Sequence, residues 1–266
     1  MRGRQDLADA LDAELMKRLL PTTAVSALRE WLAGAGAPCT AGAGAHAVTY
    51  TPARWSGIEP WPVRLRERTH TGNASISRAQ VAAVVRKAVQ EGDLPQALVA
   101  SYVWGQGRTG FGPHRLKEIL AEPNLPEALS EADTALRGEG AAAAYRVLYR
   151  EVRGLGPAFF TKLLYFLDLG MDTSSTPRAL ILDQRVAQTV RIHATRIGVE
   201  TGVTSAPAVS AWVWSNGGWT PHRYEIYLHW IDAAAEQLAA SGIGWPGSSP
   251  DLLELALFDR AWDPAV

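Results

Sequence analysis

One cysteine in 266 residues, Cys39, excludes a disulfide within the chain and an iron–sulfur cluster held by four cysteines. No apolar run approaches the roughly 18 residues that a membrane-spanning helix needs. Nor does the sequence open like a secretory leader: Met1-Arg-Gly-Arg-Gln-Asp runs into charged sequence, so a cytoplasmic protein with no membrane partner is expected. A basic excess is missing too, with 26 Lys and Arg against 27 Asp and Glu, which taken over the whole chain argues weakly against a nucleic-acid partner. Internal repeats and low-complexity tracts are absent. What is there is an ordinary globular composition, 47% hydrophobic and 20% charged, in a chain long enough for one large or two modest cores.

The charge is unevenly spread. Residues 141–196 hold eight basic residues (Arg146, Arg150, Arg153, Lys162, Arg178, Arg185, Arg191, Arg196) against four acids (Glu151, Asp168, Asp172, Asp183), which makes the segment +4 and the remainder −5. At its centre Gly154-Leu155-Gly156-Pro157 opens the apolar run Ala158-Phe-Phe-Thr-Lys-Leu-Leu-Tyr-Phe. Two glycines about one apolar residue permit a tight turn with positive φ and a close backbone approach. Pro157 suits a first helical position, where its missing N–H leaves nothing unpaired. A turn feeding a helix presents free N–H groups at the positive end of the helix dipole, which suits one phosphate of a nucleic-acid backbone and carries no base preference. Downstream, Asp183 follows Ala179-Leu-Ile-Leu182 and precedes Val186 and Val190, the spacing of an N-cap or first-turn carboxylate at the mouth of a second helix.

Gly-Leu-Gly ahead of an apolar helix, with Leu182-Asp-Gln-Arg-Val186 downstream, resembles the helix-hairpin-helix DNA glycosylase superfamily, and within it bacterial proteins of the 8-oxoguanine glycosylase fold. The resemblance covers roughly residues 75–260, with its specific motifs in about forty of them. It implies a mainly α fold and a DNA glycosylase acting on double-stranded DNA, in base excision repair or phage defence. A non-catalytic helix-hairpin-helix DNA-binding protein is the alternative. The resemblance assigns Asp183 to the chemistry, because base removal passes through a cationic sugar that a carboxylate stabilises. Gly154, Gly156 and Ala158 fall on the DNA-binding hairpin, with Arg185 nearby. The lysine that lyase-competent members carry two residues past the second hairpin glycine is here Ala158. Lys162 stands one turn later on about the same face, so it is the candidate amine nucleophile, while a water-using, monofunctional enzyme is the preferred reading.

By the same resemblance, Gln106 or Arg108, in the loop Gly105-Gln-Gly-Arg-Thr-Gly-Phe-Gly112, fills the hole left by the extruded base. That loop lacks the Gly-Lys-Ser/Thr ending of a nucleotide-binding loop. Main-chain oxygens of Arg150, Val152 and Leu155 correspond to a monovalent-cation site. No other cofactor is expected, and a monomer is. Trp212, Trp214, Trp219 and Phe159 are the candidates to stack on a base, either an oxidised guanine or a hypermodified cytosine. His222, Glu225 and His229 are the one helical histidine pair with ligand-like company, and no metal is assigned to them.

The rest of the chain reads as helices with short breaks. Leu7, Leu11, Leu15 and Leu19, then Leu28, Trp31 and Leu32, predict two helices within 5–34, split at Pro21. Residues 33–45 read as loop, His46–Thr51 as the one strand, and 52–76 as irregular. Ser77-Arg-Ala-Gln80 is a capping box and starts the core domain. Helices are predicted within 95–121, over 141–152, 158–169 and 231–240, and from Pro250 onward. The sequence divides into an N-terminal helical and irregular segment, 1–72, and a glycosylase-like domain, 73–266.

Overall fold

The computed structural model describes residues 3–108, 110–171 and 176–265; Thr109 of the glycine-rich loop and 172–175 of the connection before Asp183 lie outside them. Among the described residues it is mainly helical, with twelve α-helices and two short strands. Contacts group the chain into two compact units, residues 44–181 and residues 1–43 with 182–266. This grouping cuts across the segment boundary drawn at residue 72, because the leading helices pack with the C-terminal ones.

In the unit 44–181, strands β1 (Ala47–Tyr50) and β2 (Ala74–Ser77) pair antiparallel, Ala47 opposite Ser77 and Tyr50 opposite Ala74. The β2 strand lies inside the stretch expected to be irregular. Its four residues are too few to show an alternating pattern, so only the partner strand reveals it. β2 runs straight into α3 (Arg78–Gln90), whose capping box forms as expected: Gln80 N donates to Ser77 Oγ and Ser77 N to Gln80 Oε1. Arg78, only 1% exposed, sits over the rings of Trp104 and Tyr165 and donates from Nε to His46 Nδ1 at 3.2 Å. Burial, and then the Arg78 charge, push the His46 imidazole down to about 4, which keeps it a neutral acceptor.

Helix α4 (Leu94–Gln106) is the core of this unit. It starts at the Asp93 cap and is buried on every side from Ala97 to Trp104, because its sequence is apolar all round. Leu98, Val99 and Val103 are fully buried, each worth about 1.5–3 kcal/mol. Against α4 pack β1, α3, α5 (Gly112–Leu120), α6 (Leu125–Glu139) and α8 (Pro157–Leu169), with α7 (Ala141–Leu148) paired to α6.

The other unit joins α1 (Arg4–Lys17) and α2 (Thr22–Ala33), split at Pro21 as predicted, to α9 (Gln184–Glu200), α10 (Ala206–Val213), α11 (Pro221–Ala240) and α12 (Pro250–Phe258). The helix expected over 231–240 starts ten residues earlier, at Pro221. Gly198 allows close approach of α9 to α10 and α1: a Cβ there would lie 2.6 Å from Ala206 Cβ and 2.8 Å from Leu11 Cδ1. Gln237 holds the α1–α2 connection by bonding both the amide and the carbonyl of Leu20, and Arg223 of α11 pairs with the buried Asp12 of α1. No helix among the described residues is long and apolar enough to cross a membrane.

Candidate active site and DNA-contact elements

The hairpin lies in the unit 44–181. Helix α7 ends at Leu148, four residues earlier than predicted, and the chain turns through Arg150 (φ +66°) and Gly154 (φ +82°) before α8 begins at Pro157. Of the two glycines only Gly154 has the left-handed backbone, and a Cβ on it would press on Ile119 Cγ1 at 3.3 Å. Gly156 is the N-cap of α8 in extended geometry that any residue adopts, with nothing near a would-be Cβ. The amides of Gly154, Gly156 and Ala158 donate to no acceptor among the described residues, so the free donors expected at this turn are there.

Part of the local positive charge is buried or paired. Lys162 is buried, Arg178 lies 3.8 Å from Asp168, and Arg196 bonds Glu200 at 3.0 Å. Arg146, Arg150 and Arg153, around the hairpin, are exposed and have no carboxylate partner among the described residues. Of the three carbonyls matched to a cation, that of Val152 accepts the Leu155 amide at 3.2 Å and keeps one lone pair; those of Arg150 and Leu155 receive no donor among the described residues.

Lys162 is only 8% exposed. Long helical side chains lean toward the helix N-terminus, and this one reaches back one turn, donating from Nζ to the Ala158 carbonyl with Nζ 5.5 Å from the centre of the Phe159 ring. Its ammonium therefore sits one turn back, at the first turn of α8. Gly105 of α4 makes the space, since a Cβ there would lie 2.5 Å from Lys162 Cδ. Phe159 in turn stacks on the buried Tyr102 at 4.1 Å, 13° from parallel, and burial pushes the Tyr102 hydroxyl up. Sequence spacing gave no sign of Gly105 beside Lys162 or of Tyr102 beside Phe159, because the contacts cross between helices.

Asp183 belongs to the other unit, as does the exposed Arg185, whose guanidinium lies over the Phe258 ring. Asp183 caps α9 as the spacing predicts, and it does so with one oxygen: Oδ1 accepts from Arg185 N at 2.9 Å and Val186 N at 3.1 Å. Oδ2 has no hydrogen bond or ion pair among the described residues, and the side chain is half-buried. A residue that sequence reasoning missed, Asp168 at the end of α8, is 1% exposed and accepts the Ala179 amide at 2.9 Å, which ties the far end of the polar connection back to α8.

Gln106 is folded onto its own loop rather than projecting from it: a Cβ on Gly112 would lie 2.2 Å from Gln106 Cγ and one on Gly110 3.0 Å from Gln106 Nε2. Arg54 clamps the loop through the carbonyls of Arg108 and Gly110, leaving the Arg108 side chain exposed. The outward group is Phe111, 74% exposed between Gly110 and Gly112. A phenylalanine between two glycines was a readable sign of an unsupported apolar side chain. Among the stacking candidates, Trp214 and Trp219 are core, and Trp212 is partly covered by Arg4 at 4.1 Å; Phe159, in the unit 44–181, is in the first turn of α8, next to the hairpin.

Residues 41–258 match the model of the family described as "Putative 8-oxoguanine DNA glycosylase OGG-like protein". The chain belongs to this family. The match spans β1, the glycine-rich loop, the hairpin, α8 and the Asp183 cap, and it starts well before residue 75, where the sequence resemblance began. No curated protein and no solved structure matches the chain.

Proposed function

We propose that this OGG-like protein is a DNA glycosylase that takes one modified base out of a duplex and hydrolyses its N-glycosidic bond, with Asp183 as the catalytic carboxylate. The observation that carries this reading is the divided carboxylate, with Oδ1 holding the α9 N-terminus and Oδ2 uncommitted. Oδ1 fixes the group's direction through two amides, so Oδ2 meets the sugar without reorganisation. As the bond from C1′ to the base breaks, its electron pair leaves with the base and positive charge develops on the sugar, opposite Oδ2. Water supplies the oxygen of the new C1′–O bond, and its proton passes by way of the carboxylate or solvent to the departing base. The products are free base and an abasic site.

The hairpin supplies the grip: amides of Gly154, Gly156 and Ala158 for one phosphate, with Arg146, Arg150 and Arg153 around them. Carbonyls of Arg150, Val152 and Leu155 would hold a monovalent cation, whose charge would favour the adjacent phosphate. Phe111, rather than Gln106, enters the stack where the base leaves, because an exposed aromatic ring replaces lost stacking. Arg108 remains the polar group of that loop able to face the orphaned base. Lys162 would have to give up its bond to the Ala158 carbonyl before its amine attacked C1′, so water is the nucleophile in this reading. Phe159 is the stacking face for the flipped base, an oxidised guanine or a hypermodified cytosine.

The test is release of abasic sites. Purified protein is incubated with duplexes carrying 8-oxoguanine opposite cytosine and with hypermodified phage DNA, and alkaline strand cleavage is scored. Cleavage by wild-type protein and none by Asp183→Asn is expected on one of the two substrates. Binding to both with cleavage of neither would favour the non-catalytic DNA-binding reading.

A further inference from the structure

We infer that Asp9, Asp12 and His222 form a binding site for a first-row transition-metal dication of the zinc class, bridging α1 and α11. Asp9 and Asp12 are three residues apart and share one face of α1; His222 is the second residue of α11. One potential ligand atom from each lies within 4.8 Å of the other two. Donors at about 2.0–2.1 Å around a tetrahedral zinc stand about 3.3 Å apart. The cluster must therefore close by little more than an ångström, and the exposed Asp9 and His222 side chains can swing that far.

A second observation points to a ligand. Asp12 is only 5% exposed; Arg223 takes its Oδ1, while Oδ2 is buried with no hydrogen-bond partner among the described residues. A buried carboxylate oxygen left unpaired is costly, and a dication held with Asp9 and His222 would satisfy it. Arg223 neutralises one of the two carboxylates, so the site keeps one net negative charge for a cation. Asp9 gives one oxygen to Gln5 at 2.7 Å and retains the other. An imidazole beside two carboxylates favours zinc and its neighbours over magnesium or calcium, which prefer oxygen alone. Three protein donors leave a fourth position for water. Asp9 and Asp12 lie outside the residues matched to the OGG-like family, and His222 lies within them.

The probe is Zn2+ titrated into the full-length protein by calorimetry, with thermal unfolding followed in parallel. We expect one equivalent to bind and to raise Tm, at least tenfold weaker binding in His222→Ala and in Asp9→Asn, and unchanged binding in His229→Ala, whose imidazole is exposed two turns further along α11. Both weakened variants alter exposed side chains, and without metal they should unfold at the wild-type temperature. Mg2+ at equal concentration should leave Tm unmoved. No zinc binding by wild type, binding unchanged in His222→Ala, or an equal loss in His229→Ala would overturn the site.

Discussion

Replacing Asp183 with asparagine separates the two duties assigned to its two oxygens. Asparagine keeps an oxygen where Oδ1 accepts the Arg185 and Val186 amides at 2.9 and 3.1 Å, so the cap of α9 survives. What is lost is the charge at the helix N-terminus, worth about 0.3–1 kcal/mol for a partly exposed group. In a chain of this size that lowers Tm by about 1–4 °C. Asp183→Ala removes the cap as well and costs about 1 kcal/mol more. The transition state is affected on another scale: deleting a preorganised electrostatic partner costs about 2.7–4 kcal/mol, a fall of about 10² to 10³ in rate. Single-turnover base release at saturating protein, measured beside thermal unfolding, should therefore show both variants slowed equally and destabilised unequally. DNA affinity should stay near wild type in both. If Asp183→Asn released base within threefold of wild type, or if the two variants lost rate in proportion to lost stability, Asp183 would be a cap and nothing more.

At the hairpin, Gly154→Val forces a β-branched residue into φ +82° against Ile119 and should cost about 1–2 kcal/mol of local strain; binding should weaken about equally for modified and unmodified duplexes, while Gly156→Ala changes affinity much less, as gel-shift titration of both would show. Phe111→Ala should slow excision from duplex at least tenfold more than from single strands, and Gln106→Ala should slow neither by as much; equal losses on the two substrates would remove Phe111 from base extraction. Borohydride during turnover should trap no covalent adduct with wild-type protein, and an adduct abolished by Lys162→Ala would establish an amine nucleophile. Because the folded His46 is held near 4 and the unfolded side chain titrates near 6.5, the unfolded chain binds the extra proton first. The stability that depends on neutral His46 is thus full above pH 6.5 and lost as pH falls toward 4; urea titrations should show this slope in wild type and a shallower one in His46→Gln.

Local patterns carried most of the helical layout because they depend on neighbours in sequence. The Ser77 box, the split at Pro21, the start of α8 at Pro157 and the Asp183 cap all rest on backbone donors within three or four residues of the side chain that satisfies them, and a sequence displays such pairs directly. The Gly-Leu-Gly turn and the Leu-Asp-Gln-Arg-Val cap were enough to point to the family that residues 41–258 then matched. Contacts across helices were not legible. No periodicity links Gly105 to Lys162, Tyr102 to Phe159 or Asp12 to Arg223, and β2 has no visible pattern without β1 beside it. The sequence by itself determined a mainly helical chain, the hairpin and the position of its carboxylate, since each follows from spacing along one element. Only the tertiary structure decided that Lys162 turns back to the Ala158 carbonyl, that Gln106 folds inward while Phe111 stands out, and that one oxygen of Asp183 is left open. The physical reason is that burial and direction are settled by the packing of elements distant in sequence, where a side chain takes whatever space its neighbours leave.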